Sequence, residues 1–218
     1  VTRLVLVRHG ESITTVARRI GGPRTCEGLT ELGREQATRL RDRWNAGGEP
    51  EVDVLVASQF PRARETAEIL QGAFPSIGLS IDSGWGEHDP GPECDGLTFT
   101  EFVERHPEAA AAWERQDPLA EVFPGGETLA EFHDRVIAAV DRTVATYPEH
   151  TVLVSCHGGV VDAVLRHVLG AAPMGGFEIH TVNASITELV RTERDVWRLI
   201  RYNDAAHLAG LPTGTVTD

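Results

Sequence analysis

Three short apolar runs, at 4–7, 52–57 and 151–155, constrain this chain more than any other feature. None alternates with polar residues, so each is expected to be buried on both faces, as strands of a parallel sheet are. Helical patterns separate and follow them. Thr30 caps a stripe of Leu32, Ala37, Leu40 and Trp44 that Gly47-Gly48 ends. Further helices are expected over 63–70 and 159–169, and a long amphipathic one over 128–147. Two late β-like runs, 185–190 and 196–202, read as a hairpin across 191–195. Residues 72–96 are rich in Gly, Pro and Asp and read as mostly loop, and 97–123 as two short helical patches broken at Pro107 and Pro118. This order predicts a three-layer α/β/α sandwich with a mostly parallel central sheet. It is expected to form a single domain over 1–211, with 72–126 as an excursion over one end and 212–218 as a flexible tail.

Ligands of open α/β sheets gather at the carboxyl ends of the strands. The first run is followed by Arg8-His9-Gly10-Glu11-Ser12, the second by Ser58-Gln59-Phe60-Pro61-Arg62, and the third by Cys156-His157-Gly158-Gly159. Taken singly, a histidine at a strand end is commonly structural, and an arginine at a helix start commonly faces solvent. Together, His9, His157, Arg8 and Arg62 issue from one sheet edge and would repel one another unless an anion lay between them. Guanidinium forks match phosphate oxygens, and an imidazole can act as nucleophile. The pattern points to a phosphoryl site.

Composition narrows the alternatives. All 20 basic residues are arginine, which excludes Schiff-base lysine chemistry and the lysine of a P-loop. With 33 acidic residues the net charge is −13, a poor balance for nucleic acid or anionic membrane. No apolar stretch approaches the roughly 18–20 residues that span a bilayer. Cys26, Cys94 and Cys156 are odd in number and lack a C-x-x-C pair, which suits a reducing, cytoplasmic setting. A metal site from His157, Cys156 and His88 is disfavoured, because strand neighbours point to opposite faces and no ligand-spaced pair accompanies them. No metal and no cofactor are expected.

Leu6-Val7-Arg8-His9-Gly10-Glu11-Ser12 resembles the signature of the histidine phosphatase superfamily, the phosphoglycerate mutase-like family. Ser58-x-x-x-Arg62-Ala63-x-Glu65-Thr66-Ala67 is similar to its second arginine motif, and Pro124-Gly125-Gly126-Glu127 to the start of its long helix. Ser155-x-His157-Gly158-Gly159 resembles its second histidine motif. Asn203-Asp204-x-x-His207-Leu208 resembles the close of its bacterial phosphatase branch. The resemblance implies that His9 is the nucleophile, forming a phosphohistidine, and that Arg8, Arg62 and His157 surround the phosphoryl oxygens. It extends phosphate or substrate contacts to Thr15, where asparagine is usual, and to Gly22, in a loop with one extra residue that also carries Arg19 and Arg24. Glu87 resembles the family's general acid, with Asp82, Asp89 and Glu93 as rivals, while Glu11 is read as structural.

Hydrolysis is expected over mutase chemistry. Between 97 and 123 only Arg105 and Arg115 stand against Glu101, Glu104, Glu108, Glu114, Asp117 and Glu121, too little positive charge to retain a doubly phosphorylated acid. The expected partner is a small phosphorylated metabolite. The alternatives are a cofactor-dependent phosphoglycerate mutase-type transfer and a non-catalytic phosphate-recognising module.

Overall fold

Strand β1 (Thr2–Arg8) lies near the middle of a six-stranded sheet and shows why its run carries no alternation. Leu4 and Leu6 enter one core with Val136, Val140, Val160 and Val164, and Val5 and Val7 enter a second with Leu40, Trp44 and Leu70. All four strand residues are fully buried. At about 1.5–3 kcal/mol per fully buried aliphatic side chain, both faces contribute to holding this strand in place.

The computed structural model describes residues 1–115 and 120–212; the expected break at Pro118 and the tail from 213 lie outside them. Strands β2 (Val54–Ala57), β3 (Leu79–Ile81) and β4 (Thr151–Cys156) join β1 in the order β3-β2-β4-β1, all parallel. Strands β5 (Ile186–Arg191) and β6 (Trp197–Asp204) continue past β1 as the expected antiparallel hairpin. Helices α1 (Ile13–Val16), α2 (Glu31–Asn45) and α3 (Pro61–Leu70) follow the first two strands, and α2 and α3 cover one face. After α4 (Gly91–Cys94), α5 (Phe99–Arg105) and α6 (Pro107–Glu114), the other face is covered by α7 (Leu129–Thr146) and α8 (Gly158–Leu169). The chain is thus a three-layer α/β/α sandwich. Among the described residues no helix is long and apolar enough to cross a membrane.

Two short elements leave no signal in the sequence. The stretch 72–96, read as mostly loop, also contributes β3, whose three residues pair with Leu55–Ala57 at the sheet edge. A strand this short, with Ser80 and Ile81 exposed, has no periodicity to display. The single-turn helix α1 is likewise too short for an apolar stripe, and is marked only by the N-cap of Ser12, whose side chain accepts from Thr15 N–H. Pro107 does mark a boundary, standing first in α6, where its missing N–H costs nothing.

Candidate active site

Register explains how distant segments meet. Arg8 pairs with Cys156 and Ala57 with Ser155, so β1, β4 and β2 end level and adjacent. His9, His157 and Ser58 therefore leave the sheet side by side, and α3 begins with Arg62 just beyond. His9 N–H donates to the Cys156 carbonyl at 3.0 Å, and Ser58 N–H to that of Ser155 at 3.0 Å. The imidazoles of His9 and His157 stand edge to face, 5.1 Å apart at their centroids. Close approach of the first turn to α2 demands glycine at position 10, where a Cβ would lie 2.4 Å from the Gly33 carbonyl oxygen.

His9 is buried with a defined tautomer. Its Nδ1 lies 2.7 Å from the Gly10 carbonyl oxygen, which accepts only, so Nδ1 carries the proton. Arg62 Nε–H donates to His9 Nε2 at 3.0 Å, which marks the lone pair on that nitrogen. Burial, then the charges of Arg62 and Arg8, hold His9 well below the ordinary imidazole value, and the Gly10 bond acts weakly against them. Burial and the same two guanidiniums, with His9, depress His157 also. The two histidines are therefore neutral, and the positive charge of the site resides on Arg8 and Arg62.

Several buried donors and acceptors here have no partner among the described residues: Arg8 Nε, His157 Nδ1 and Thr181 Oγ1. The position of a Cβ on Gly158 would be 3.4 Å from Thr181 Oγ1 and 3.7 Å from Arg8 Nε, so these groups converge at the start of α8. Unpaired buried polar groups cost about 1–3 kcal/mol each, and such a cluster marks a place built for a polar ligand. An oxyanion that accepts from several donors suits them.

Glu87 is carried into this centre by the excursion. Its Oε2 accepts from Gly159 N–H at 3.1 Å and its Oε1 from His88 N–H at 3.1 Å, at the N-terminus of α8. The three rival carboxylates are engaged elsewhere or exposed. Asp82 pairs with Arg142 at 2.7 Å, Asp89 accepts from Gly91 N–H at 2.9 Å, and Glu93 faces solvent. Glu11 accepts from Thr30 Oγ1 at 2.8 Å beside the cap of α2, in keeping with its structural reading.

The two outlying contacts fare differently from the central four. The N–H of Gly22 points away from an anion site, donating to Asp95 Oδ1 at 2.8 Å. Asp95 also accepts from Arg24 N–H and the Thr25 hydroxyl, so the extra residue of this loop is absorbed in a carboxylate clamp. Thr15 Oγ1 lies 2.8 Å from Ser12 Oγ, within α1. Sequence reasoning passed over several supporting residues. Asn183 Nδ2 donates to the His9 carbonyl at 3.0 Å, Thr181 supplies its carbonyl to Arg8, and Ser58 Oγ lies 2.8 Å from His157 Nε2. Arg135, paired with Glu127 at 2.6 Å, donates to the carbonyls of Ser83, Gly84, Gly86 and Glu87. It thereby pins the turn that presents Glu87. Ser58 belonged to a quoted motif; Arg135 stood in no pattern.

A cavity of about 230 Å³ adjoins the centre at Glu87, Gly158 and Gly159. A larger one, about 640 Å³, lies at the β3 edge against α7, lined by Asp82, Arg142 and Tyr147, and touches none of the four strand-end residues. Size does not make it the active site; the smaller cavity carries Glu87 and abuts Gly158, beside which Arg8 and Thr181 converge.

Comparison with known proteins agrees with this arrangement. The family model of the histidine phosphatase superfamily (branch 1) matches residues 4–205. The chain belongs to that superfamily. It is 29% identical over 212 residues to a protein of Arabidopsis thaliana named metal-independent phosphoserine phosphatase, covering 97% of this chain and 85% of the relative. Among solved structures, YhfR of Bacillus stearothermophilus superposes with a TM-score of 0.84 at 27% identity, over 95% of this chain and 100% of that one. A mycobacterial glucosyl-3-phosphoglycerate phosphatase in complex with VO3 superposes with a TM-score of 0.74 at 29% identity, covering 92% and 98%. Family and site together make this chain a histidine phosphatase, acting on phosphomonoesters through a histidine-based mechanism.

Proposed function

We propose that His9 Nε2 attacks the phosphorus of a small phosphorylated metabolite and that Glu87 protonates the departing alkoxide. The phosphoryl group passes to Nε2, giving phosphohistidine and a free alcohol. Water then attacks the phosphohistidine, Glu87 takes back a proton, and inorganic phosphate leaves. The observation that carries this reading is the paired hydrogen bonding of His9: the proton fixed on Nδ1 by Gly10, the lone pair of Nε2 held against Arg62.

Arg8, Arg62 and His157 Nδ1 surround the transferring oxygens, where charge spreads in the transition state and preorganised donors contribute most. Ser58 Oγ accepts from Phe60 N–H at 3.2 Å and can donate to His157 Nε2, which leaves His157 Nδ1–H free for a phosphoryl oxygen. When the phosphoryl group arrives, the Arg62 Nε–H moves from Nε2 to one of its oxygens. The Thr15 hydroxyl remains a phosphate contact in this reading, but Gly22 acts through its loop. The reaction is metal-independent: two guanidiniums supply the charge, and a relative bears that description in its name. A cytoplasmic setting fits Cys26, Cys94 and Cys156, all free and buried thiols.

The test is phosphate release from a panel of phosphomonoesters with EDTA present, for the wild type and His9→Ala. Turnover that persists in EDTA, needs no bisphosphoglycerate and vanishes in His9→Ala is expected. Turnover by His9→Ala at the wild-type rate would refute the nucleophile, and loss in EDTA the metal-independent reading.

A further inference from the structure

The cavity beyond Glu87 defines what kind of alcohol can leave. It shares Gly158 and Glu87 with the phosphoryl centre, so the organic part of a substrate whose leaving oxygen faces Glu87 extends into it. Its walls are mainly apolar: Trp113 from α6, Leu129 and Phe132 from α7, and Met174 and Ile179 from the segment after α8. Its charged lining is acidic, Glu87 and Asp162, with the imidazoles of His88 and His133 alongside. Among the described residues no arginine lines it, and residues 116–119 and 213–218 contain no basic side chain.

The walls are braced. Arg166, buried in α8, pairs with Asp162 at 2.7 Å and donates to the carbonyls of Ala172, Gly175 and Phe177. One guanidinium therefore fixes the segment that supplies Met174 while its own charge is spent on Asp162 and backbone carbonyls. Trp113 stacks parallel on His88, 6.1 Å between centroids, and meets Phe123 at 5.2 Å. The aromatic wall is thus preformed rather than assembled by a ligand.

We infer that the leaving group is an uncharged apolar or aromatic alcohol, and that the cavity disfavours alcohols bearing a carboxylate, for which its described lining supplies no arginine. This rests on the phosphatase reading above and narrows its substrate class. Phosphoserine and phosphoglycerates each carry a carboxylate a few bonds from the phosphate. That group would shed water against apolar walls with no arginine in the described lining to meet it. A charge desolvated without a partner is a strong discriminator.

The experiment compares kcat/KM for 2-phenylethyl phosphate, phosphoethanolamine, phosphoserine and 3-phosphoglycerate, whose leaving groups are alkyl throughout except for the substituents under test. Binding of the corresponding non-hydrolysable phosphonates is measured in parallel by calorimetry. 2-Phenylethyl phosphate is expected to exceed phosphoserine and 3-phosphoglycerate by at least about tenfold, and phosphoethanolamine to exceed phosphoserine. Trp113→Ala should lower kcat/KM for 2-phenylethyl phosphate, mostly through KM, by about tenfold more than for phosphoethanolamine. Turnover that favours the carboxylate-bearing esters, or a Trp113→Ala variant with unchanged preference, would overturn this inference alone. Phosphonate binding with the expected preference but no turnover of any ester would uphold it and overturn the phosphatase reading.

Discussion

Gly159 and Glu87 are fitted to one another: the Gly159 N–H donates to Glu87 Oε2 at 3.1 Å, while Oε1 lies 2.3 Å from where a Cβ on residue 159 would stand. A methyl group there and the carboxylate in its present place cannot coexist. Gly159→Ala is therefore expected to fold, since position 159 has an ordinary helical backbone, yet to lose much of its activity as Glu87 is displaced. General acid catalysis contributes about 10²–10⁴-fold, and the variant should lose about tenfold or more of kcat on alkyl phosphates. Unchanged kcat would mean that Glu87 has no part in the chemistry.

Glu87→Gln separates proton donation from positioning. Glutamine keeps the shape and can accept from Gly159 but cannot give up a proton. Alkyl phosphates, whose alkoxides need protonation, should slow by about 10² or more, and aryl phosphates far less. Kinetics on a matched alkyl and aryl pair decide this, and equal losses would point to another acid.

Arg62 is held by its hydrogen bonds to His9 and to the Gly21 carbonyl, both 3.0 Å, and packs 4.8 Å from the Phe60 ring. Arg62→Ala removes a preorganised donor and should cost about 10²–10³-fold in kcat, near 3–4 kcal/mol. Arg62→Lys should recover little, because an ammonium cannot reproduce the fork that spans two acceptors. Steady-state kinetics with a thermal melt for each variant check this, and an active Arg62→Ala would remove Arg62 from the site.

Stability should fall as the solution is acidified below about pH 6.5, in the absence of phosphate. His9 and His157 are neutral in the fold, and burial followed by the charge of Arg43 brings His207 down to about 4. In the unfolded chain each imidazole takes a proton near pH 6.5, so the unfolded state binds more protons below that value. Each contributes about 1.4 kcal/mol per pH unit, in the case of His207 only down to about pH 4. Urea unfolding at stepped pH measures the slope, and His207→Asn should reduce it by one proton's worth. Stability that stayed level from neutral to about pH 5 would contradict the buried neutral histidines.

What could be read from the sequence was what burial and strand order leave behind in it. Fully buried strands wrote their runs at Leu4–Val7 and Val152–Val154, and helix capping wrote Thr30. Strand ends then predicted which residues would meet, without any knowledge of the register that brings Arg8 level with Cys156. The supporting contacts are different in kind. Asn183, Thr181 and Arg135 act through hydrogen bonds to residues distant in the chain, and such bonds leave no periodicity or spacing. Gly22 is similar: its N–H donates to one carboxylate, Asp95, that lies 73 residues further on. Nothing local in residues 19–24 could reveal that clamp.

The nucleophile itself is open to direct observation. The wild-type chain, mixed with excess substrate, quenched in alkali within the first turnovers and digested for mass spectrometry, should carry a phosphoryl group on the peptide containing His9. That label should be stable to base, labile to acid and absent from His9→Ala. A phosphoryl group on another residue, or full turnover with His9 never modified, would contradict the account.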